Sequence, residues 1–318
     1  MDLNKTEYRQ FCKEKKNQIP LFFQPYWLDA VGGEQGWDVV IHKSQNKILG
    51  VLPFGLSKKL LLHKIANPIL SPRLGVYFVY PENQEKEERR ISFEHRVSKE
   101  LIAKLPSHFY FNLTFHIGFK NWMSFYWEGF KQTTKYTFVI PASVTKDQAY
   151  KNIKSKTKNI IRKAEPSLQI SKCSLDIFWD LNQKTFARQS LKVPYTKEII
   201  NSIQDALSPR NQISIYQAMD ADHKVHASIL LVHDNRTTYC LAIGSDEAYR
   251  NSGAIPLLLW NAIKKSIDDG RSFDFEGSMM PNVEPVFRNF GGSQTAYFQI
   301  YKSANRFTDA LLTLIGKW

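Results

Sequence analysis

The chain has 318 residues, of which 43% are hydrophobic and 23% are charged, a composition typical of one large globular domain or two of ordinary size. No apolar run approaches the roughly 20 residues that a membrane-spanning helix needs, so we expect no transmembrane segment. The formal net charge of +13 favours a polyanionic partner such as nucleic acid, a phosphate-rich cofactor or an anionic membrane face. A basic surface kept for solubility is the alternative explanation.

Targeting and cysteine signals predict a cytoplasmic protein. The opening segment MDLNKTEYRQFCKEKK is charged and lacks the apolar stretch of a signal peptide. The three cysteines, Cys12, Cys173 and Cys240, are odd in number and far apart, which argues against a disulfide framework. We therefore expect a reducing compartment.

Residues 1–141 are predicted to form a first domain of helices and strands. A polar helix opens it, and Pro25 starts a short helix that Gly32 and Gly33 end. A β-hairpin, a charged exposed helix and two further strands follow in that order. Their segments are WDVVIHKSQNKILGVLPFGLS, PENQEKEERRISFEHRVSKELIAKL, FYFNLTFH and TTKYTFVI.

Residues 142–318 are predicted to form a second domain. One helix opens it and stops before Pro166, and two helices and three consecutive strands follow. A loop then leads into an amphipathic helix, a strand, a short helix and a last strand. The segments after the opening helix are LDIFWDLNQKTFARQS, TKEIINSIQDAL, QISIYQAM, KVHASILLVH, TTYCLAIGS, DEAYRNSGAIPLLLWNAIKKSIDDG, FDFEG and TAYFQIY.

The helix that opens the second domain is predicted to carry a basic stripe. Lys151, Lys154, Lys158 and Arg162 recur at steps of three and four residues, and no acid lies between Lys151 and Lys163. An ordinary solvated helix face usually mixes charges of both signs. The stripe is therefore either an exposed surface or a phosphate-binding face.

The loop YRNSGA stands where the amphipathic helix begins. Its backbone N–H groups and the positive end of the helix dipole would favour an anion. The candidate binding residues are Arg250, Asn251, Ser252, Gly253 and Ala254. Ser252 and Gly253 serve equally well as a plain helix cap.

The segment FDFEG predicts two acids at the end of a strand. Alternation places Phe273 and Phe275 on one face and Asp274 and Glu276 on the other, and Gly277 permits a sharp exit. Because sites in α/β proteins commonly lie at strand ends, either carboxylate could accept a proton there.

A guanidinium follows on the next predicted helix. Arg288 lies off the apolar stripe of that helix, so it could hold phosphate or carboxylate at the edge of a cleft. An ion pair that only fixes the turn is the alternative. The sequence predicts no metal site, since His223 and His226 stand three apart on a strand and point to opposite faces.

The motif RNSGAI resembles the loop of the GNAT superfamily, Arg/Gln-x-x-Gly-x-Gly/Ala, which holds the pyrophosphate of coenzyme A. Arg250 and Gly253 match this pattern, whereas Ile255 stands where a small residue is expected. The resemblance implies an acyltransferase-type α/β fold for the second domain.

Three further segments resemble the Fem-type group, in which two GNAT-like domains lie in tandem. They are FFQPYWLDA, SKTKNIIRKAE and FDFEGSMMPNVEPVFRNFGG. The resemblance implies an α/β fold in which each domain is a mostly antiparallel mixed sheet flanked by helices. It also implies transfer of an acyl or aminoacyl group to an amine.

The expected activity is transfer from an acyl-coenzyme A-type thioester to an amine acceptor, with no covalently bound cofactor. Aminoacyl-tRNA is the alternative donor, with a cell-wall precursor or other amine as acceptor. A non-catalytic protein that binds nucleic acid or a membrane surface is an alternative of another class.

The residues divide among these roles as follows. Glu276 or Asp274 would be the base, and the resemblance puts Arg288 on the donor side. Lys154, Lys158 and Arg162 would contact tRNA. Trp27, in the N-terminal aromatic motif, is either a wall of the substrate cleft or a core residue.

Overall fold

The structure, a computed structural model, describes residues 3–15, 18–59, 62–82 and 86–303. The chain divides into two compact units, Met1–Lys135 with Ala296–Trp318, and Tyr136–Thr295. Each unit has its own helices and its own run of neighbouring strands.

The helices of the first unit are α1 (Leu3–Glu14), α2 (Pro25–Gly32), α3 (Glu87–Ala103) and α4 (Met123–Trp127). Its strands are β1 (Trp37–Ser44), β2 (Lys47–Lys59), β3 (Leu62–Ala66), β4 (Tyr77–Phe78), β5 (His108–Thr114) and most of β12 (Ser293–Ser303). The sheet has the order β1-β2-β3-β5-β12, and β4 pairs with β2. Only the β3–β5 neighbours are parallel within this part of the sheet, and the others are antiparallel.

The predicted hairpin of the first unit is confirmed as β1 and β2. Ser44 pairs with Lys47, so the connection is a two-residue turn. Gln45 and Asn46 have φ of 49° and 62°, the left-handed pair that a type I′ turn requires. This turn matches the twist of the two strands.

A cluster of buried phenylalanines holds α3, α4 and the sheet of the first unit together. The rings of Phe115 and Phe119 lie 4.6 Å apart, and that of Phe125 lies 5.2 Å from Phe115. All three are at most 2% exposed. Burial of each such side chain stabilises the fold by about 1.5–3 kcal/mol.

The second unit begins within β6 (Lys131–Ile140). Its helices are α5 (Lys146–Asn152), α6 (Ser155–Ala164), α7 (Leu175–Ala187), α8 (Lys197–Leu207), α9 (Ala254–Asp268) and α10 (Glu284–Arg288). Its other strands are β7 (Gln169–Lys172), β8 (Ile213–Met219), β9 (Val225–His233), β10 (Thr237–Ser245) and β11 (Ser272–Asp274). The order is β6-β11-β10-β9-β8-β7, with only β10 and β11 parallel among these neighbours.

The predicted α/β fold class is confirmed, since the strands form a large, mostly antiparallel mixed sheet flanked by helices. Within the described ranges, no helix is both long enough and apolar enough to cross a membrane. The predicted domain limits, 1–141 and 142–318, stay a prediction, and residues 304–318 lie outside the described part of the chain.

Most of the C-terminal strand belongs to the first unit and not to the second, in which those limits would place it. Residues 296–303 belong to the first unit because β12 pairs with β5, from Gln299 opposite Thr114 to Ser303 opposite Tyr110. Pairing with a strand nearly two hundred residues earlier leaves no local signal in the sequence.

The prediction of one helix at the start of the second domain is wrong, because the structure has two helices there. Ile153 and Lys154, between α5 and α6, have extended backbones with ψ of 135° and 136°. The Lys154 N–H donates to the Asn289 carbonyl at 2.8 Å. A Cβ at Gly291 would lie 2.4 Å from the Asn152 carbonyl oxygen, so this glycine permits the close approach. The turn after α10 thus fixes the break.

His116 in the first unit is satisfied only as a neutral ring. Its Nε2–H donates to the Val76 carbonyl at 2.9 Å, while its Nδ1 accepts from the Gly118 N–H at 3.1 Å. Burial, with smaller contributions from Arg73 and Lys120, lowers the pKa of His116 from 6.5 to about 4. Protonation would place two N–H groups against each other at Nδ1.

We expect the free energy of unfolding to depend on this ring. The folded pKa lies below the unfolded value, so the stabilisation is complete above pH 6.5 and is lost as the pH falls from 6.5 to about 4. His116→Gln removes this titration and should flatten the dependence in that window, measured by urea unfolding. The matched control is His223→Gln, at an exposed histidine, which should keep the wild-type profile. Equal profiles for wild type and His116→Gln would contradict the assignment.

Candidate functional site

The parallel strands β10 and β11 separate at one end. They pair only from Thr237 opposite Ser272 to Tyr239 opposite Asp274. β10 continues to Ser245 with an irregularity after Cys240, whereas β11 ends and its chain turns towards β6. The carboxyl ends of parallel strands are the usual place for a site in an α/β sheet.

Asp274 lies at this point of separation and is 1% exposed. The Thr137 hydroxyl donates to Asp274 Oδ1 at 2.7 Å, and the Glu276 N–H donates to the same oxygen at 2.9 Å. A buried carboxylate needs such donors, because its desolvation is costly. Asp274 therefore ties β6 to the turn that carries Glu276, which suits a positioning residue better than a proton acceptor for a substrate.

Glu276 has a left-handed backbone with φ of 61°. This conformation costs a residue with a side chain about 1–2 kcal/mol, and the bond from its N–H to Asp274 helps to hold it. Gly277 follows with φ of 70°, and a Cβ there would lie 2.3 Å from the Tyr136 carbonyl oxygen. The predicted strand FDFEG is thus shorter than expected. Glu276 is partly exposed as a residue whereas Asp274 is buried, but Oε2 of the Glu276 carboxylate is itself shielded from solvent.

Cys240 is a neighbour of both acids that the sequence did not single out. Burial raises the pKa of its thiol, and the carboxylates of Glu276 and Asp274 raise it further. Burial also raises the pKa of Cys12 to about 12 and that of Cys173 to about 11. All three are free thiols that stay protonated at neutral pH, so none is suited to act as a nucleophile.

The predicted anion-binding loop packs against the basic helix α6. Gly253 begins α9 with φ of 78°, and a Cβ there would lie 2.9 Å from Ala164 Cβ and 3.0 Å from Ile160 Cγ2. Ser252 Oγ accepts from the Ala254 N–H at 3.3 Å as a local cap. Glycine at position 253 is therefore required both for its backbone angle and for the approach of α6.

The residues of this loop differ in their exposure to solvent. Arg250 and Asn251 are exposed, Ser252 is half-buried, and Gly253 and Ala254 are buried. A ligand from solvent can therefore reach the guanidinium of Arg250, while the buried residues shape the backbone.

The predicted basic stripe is divided between two helices. Lys158 Nζ donates to the Lys151 carbonyl at 3.0 Å, so its ammonium group caps the end of α5. Arg162 bonds Asn159 on its own helix, and the side chains of Lys154 and Arg162 are exposed. The structure therefore gives Lys158 a structural contact and leaves Lys154 and Arg162 on the surface.

Arg288 pairs with Glu284, four residues earlier on α10, at 2.8 Å. Its side chain is 58% exposed, and such surface pairs contribute little to stability. A donor phosphate would have to replace Glu284 at this guanidinium.

Trp27 is a correction to the predicted substrate-binding residues. Its side chain is 0% exposed, its Nε1–H donates to the Ser71 hydroxyl at 2.8 Å, and its ring meets Phe22 edge to face at 5.0 Å. A completely buried, hydrogen-bonded indole offers no surface to a substrate, so the core alternative holds.

His226 packs against the start of the same loop. Its Nε2 lies 3.1 Å from Asp220 Oδ2, and its ring stacks on Tyr249 at 3.9 Å and 3°. Tyr249 directly precedes Arg250 in the chain. Across the residues that the structure describes, no group of three or more His, Cys, Asp or Glu could hold a metal ion.

We expect the Thr137 hydroxyl to be required for the turn at Glu276. Thr137→Val keeps the shape but removes a donor from the buried carboxylate of Asp274, which should cost about 1–3 kcal/mol of unfolding free energy. Thr137→Ser retains the hydroxyl and should stay close to the wild type. Urea unfolding of the wild type and the two variants measures these free energies. A valine variant as stable as the serine variant would contradict the hydrogen bond between Thr137 and Asp274.

Part of the second unit matches a known family of proteins. Residues 148–282 match the family model described as an acetyltransferase (GNAT) domain. This range contains α6, the loop at residues 250–254 and both acids. No curated protein matches the sequence.

Solved structures with a similar fold cover most of the chain. FemX is 12% identical with a TM-score of 0.69, and each chain covers 99% of the other. L-PGS from Bacillus licheniformis is 8% identical with a TM-score of 0.57, over 97% of this chain and 95% of that one. A tandem GNAT protein from the clavulanic acid biosynthesis pathway is 10% identical with a TM-score of 0.50, over 88% and 94%.

The resemblance seen in the sequence is confirmed at both levels. The family match covers residues 148–282, which include the candidate site, and the fold likeness to FemX extends over 99% of the chain. Residues 148–282 therefore resemble a GNAT acetyltransferase domain, within a chain that has the fold of FemX and of the tandem GNAT protein.

Proposed function

We propose that the chain is an N-acyltransferase that moves an acyl group from an acyl-coenzyme A-type thioester to an amine. The GNAT domain and the Fem and L-PGS fold neighbours support an acyl or aminoacyl transferase in general. The observation that carries the finer proposal is the position of the partly exposed Glu276 at the separating ends of β10 and β11, in the same unit as the Arg250 loop.

The donor would lie along the opened edge of β10. Arg250 and the first turn of α9 would contact its phosphates, since a guanidinium and the positive end of a helix both favour anions. Gly253 allows α6 to support the loop from beneath. Arg288 would add a second phosphate contact after releasing Glu284.

Amide formation then needs one proton acceptor. The amine nitrogen attacks the thioester carbonyl carbon, the C–N bond forms, the C–S bond breaks, and the thiolate leaves. Glu276 accepts the proton that the amine loses, directly or through a water molecule. Asp274 holds Glu276 in place through the N–H bond, so its effect on the reaction is indirect.

We expect Glu276→Gln to lower turnover by about a hundredfold or more, because it keeps the shape and removes the base. Steady-state kinetics with acetyl-coenzyme A and a panel of amines measures this, with donor affinity determined separately. The matched control is Glu198→Gln, an exposed carboxylate on α8 outside the candidate site, which should keep the wild-type turnover. Unchanged turnover in Glu276→Gln would remove the proposed base, and wild-type protein that binds the donor without turnover would favour a non-catalytic role.

Aminoacyl-tRNA is the second candidate donor. The observation that favours it is α6 and its flanks, where Lys154, Lys156, Arg162 and Lys163 are exposed and no acid is present from Lys151 to Lys163. Because α6 packs on the loop at Gly253, this positive surface adjoins the candidate donor loop. Such a surface binds a phosphate backbone by releasing counterions.

The two donors predict opposite responses to two variants. With coenzyme A as donor, Arg250→Ala should weaken binding about tenfold or more in isothermal titration, and Arg162→Glu with Lys163→Glu should have little effect. With tRNA as donor, the double variant should abolish the electrophoretic shift and its salt dependence. Wild-type protein that binds no coenzyme A would remove the lead proposal.

A further inference from the structure

Three large side chains of the first unit face solvent on one short helix. Met123, Tyr126 and Trp127 on α4 are 48%, 62% and 58% exposed. Ser124 and Phe125 of the same helix are 3% and 0% exposed. One side of α4 therefore belongs to the core, and the other side presents apolar side chains to solvent. Exposed apolar groups that adjoin each other usually mark an interaction site.

The apolar surface continues onto α3. The ring of His95 meets Trp127 edge to face at 4.7 Å, and Ile91, one turn before His95, is 37% exposed. Side chains four apart lie on the same side of a helix. We call Ile91, Met123, Tyr126 and Trp127 the aromatic surface.

The aromatic surface is held rigidly. The Ser124 hydroxyl donates to the His95 carbonyl at 3.2 Å, and Asn121 Oδ1 lies 3.1 Å from His95 Nε2. Lys302 Nζ donates to the Glu128 carbonyl at 2.6 Å and so caps the end of α4. A fixed platform loses little conformational freedom when a partner covers it.

Exposed lysines lie on α3 near the aromatic surface and, in the sequence, on either side of α4. Lys99 stands one turn beyond His95 on the same side of α3, and Lys120 and Lys131 flank α4. The exposed acid directly after Trp127 is Glu128. Tryptophan and tyrosine beside lysine suit the headgroup region of a bilayer, where the rings are half-buried and the ammonium groups meet lipid phosphates.

We propose that the aromatic surface docks the protein on an anionic lipid bilayer. Met123 and Ile91 favour a bilayer over a nucleic acid, because these side chains gain from hydrocarbon contact and cannot stack on bases as aromatic rings do. The net charge of +13 complements the negative lipid surface. The docking is independent of the reaction proposed above, since no residue of the candidate site takes part.

Vesicle flotation of the full chain tests this, with phosphatidylcholine vesicles that contain or lack phosphatidylglycerol. Wild-type protein should float with the anionic vesicles, and Trp127→Ala and Tyr126→Ser should each reduce the bound fraction about tenfold or more. Lys99→Glu should also reduce the bound fraction, and this reduction should be larger at low salt than at high salt. The matched controls are Leu191→Ala, at a 53% exposed apolar side chain of the second unit, and Lys163→Glu, and both should float as wild type.

Each other outcome overturns the docking. Flotation that Trp127→Ala and Tyr126→Ser leave unchanged, in variants that circular dichroism shows to be folded, would show that the aromatic surface takes no part. Equal losses in Lys163→Glu and Lys99→Glu would reduce the binding to unspecific charge. Loss of a wild-type dimer in Trp127→Ala by sedimentation, or loss of a tRNA shift in Tyr126→Ser, would assign the surface to a second copy or to tRNA.

Discussion

The hydrogen bonds of one buried carboxylate connect the strands and the turn on which the candidate site depends. Asp274 is almost completely buried, and it accepts from the Thr137 hydroxyl on β6 and from the Glu276 N–H in the next turn. Burial of a carboxylate without donors is too costly to persist, so the two donors and the acid require one another. The same bonds hold Glu276 in a left-handed conformation that its side chain would otherwise disfavour. A strained residue held by its neighbours at a strand end is typical of functional sites.

A second constraint joins the loop at residues 250–254 to the basic helix α6. Gly253 leaves room for Ile160 and Ala164 of α6 directly beneath the first turn of α9. Any larger residue would push α6 away, so the position of the positive surface and the conformation of the loop are coupled. His226 stacks on Tyr249, the residue before Arg250. The loop that precedes α9 is therefore held by packing at Tyr249 and at Gly253, while Arg250 is exposed to solvent.

Local patterns predicted most of the elements correctly. The hairpin of β1 and β2, the charged helix α3 and the order of strands, loop and helix from β8 to α9 all follow from hydrophobic periodicity and turn residues. Longer-range features were predicted less well. The break between α5 and α6 depends on the Asn289 carbonyl, more than a hundred residues later in the chain. Trp27 matched a motif, yet its place in the core depends on Ser71 and Phe22.

The sequence by itself determined the α/β class, the resemblance to the GNAT and Fem-type proteins, and the presence of two acids at a strand end, because these depend on local periodicity and on short motifs. Only the tertiary structure decided which of the two acidic residues is the more exposed. Thr137 is 137 residues from Asp274 along the chain, and no local pattern encodes their hydrogen bond. That bond holds Asp274 in the interior, while Glu276 is partly exposed. The different burial of the two acids therefore depends on strand pairing between β6 and β11, which exists only in the folded chain.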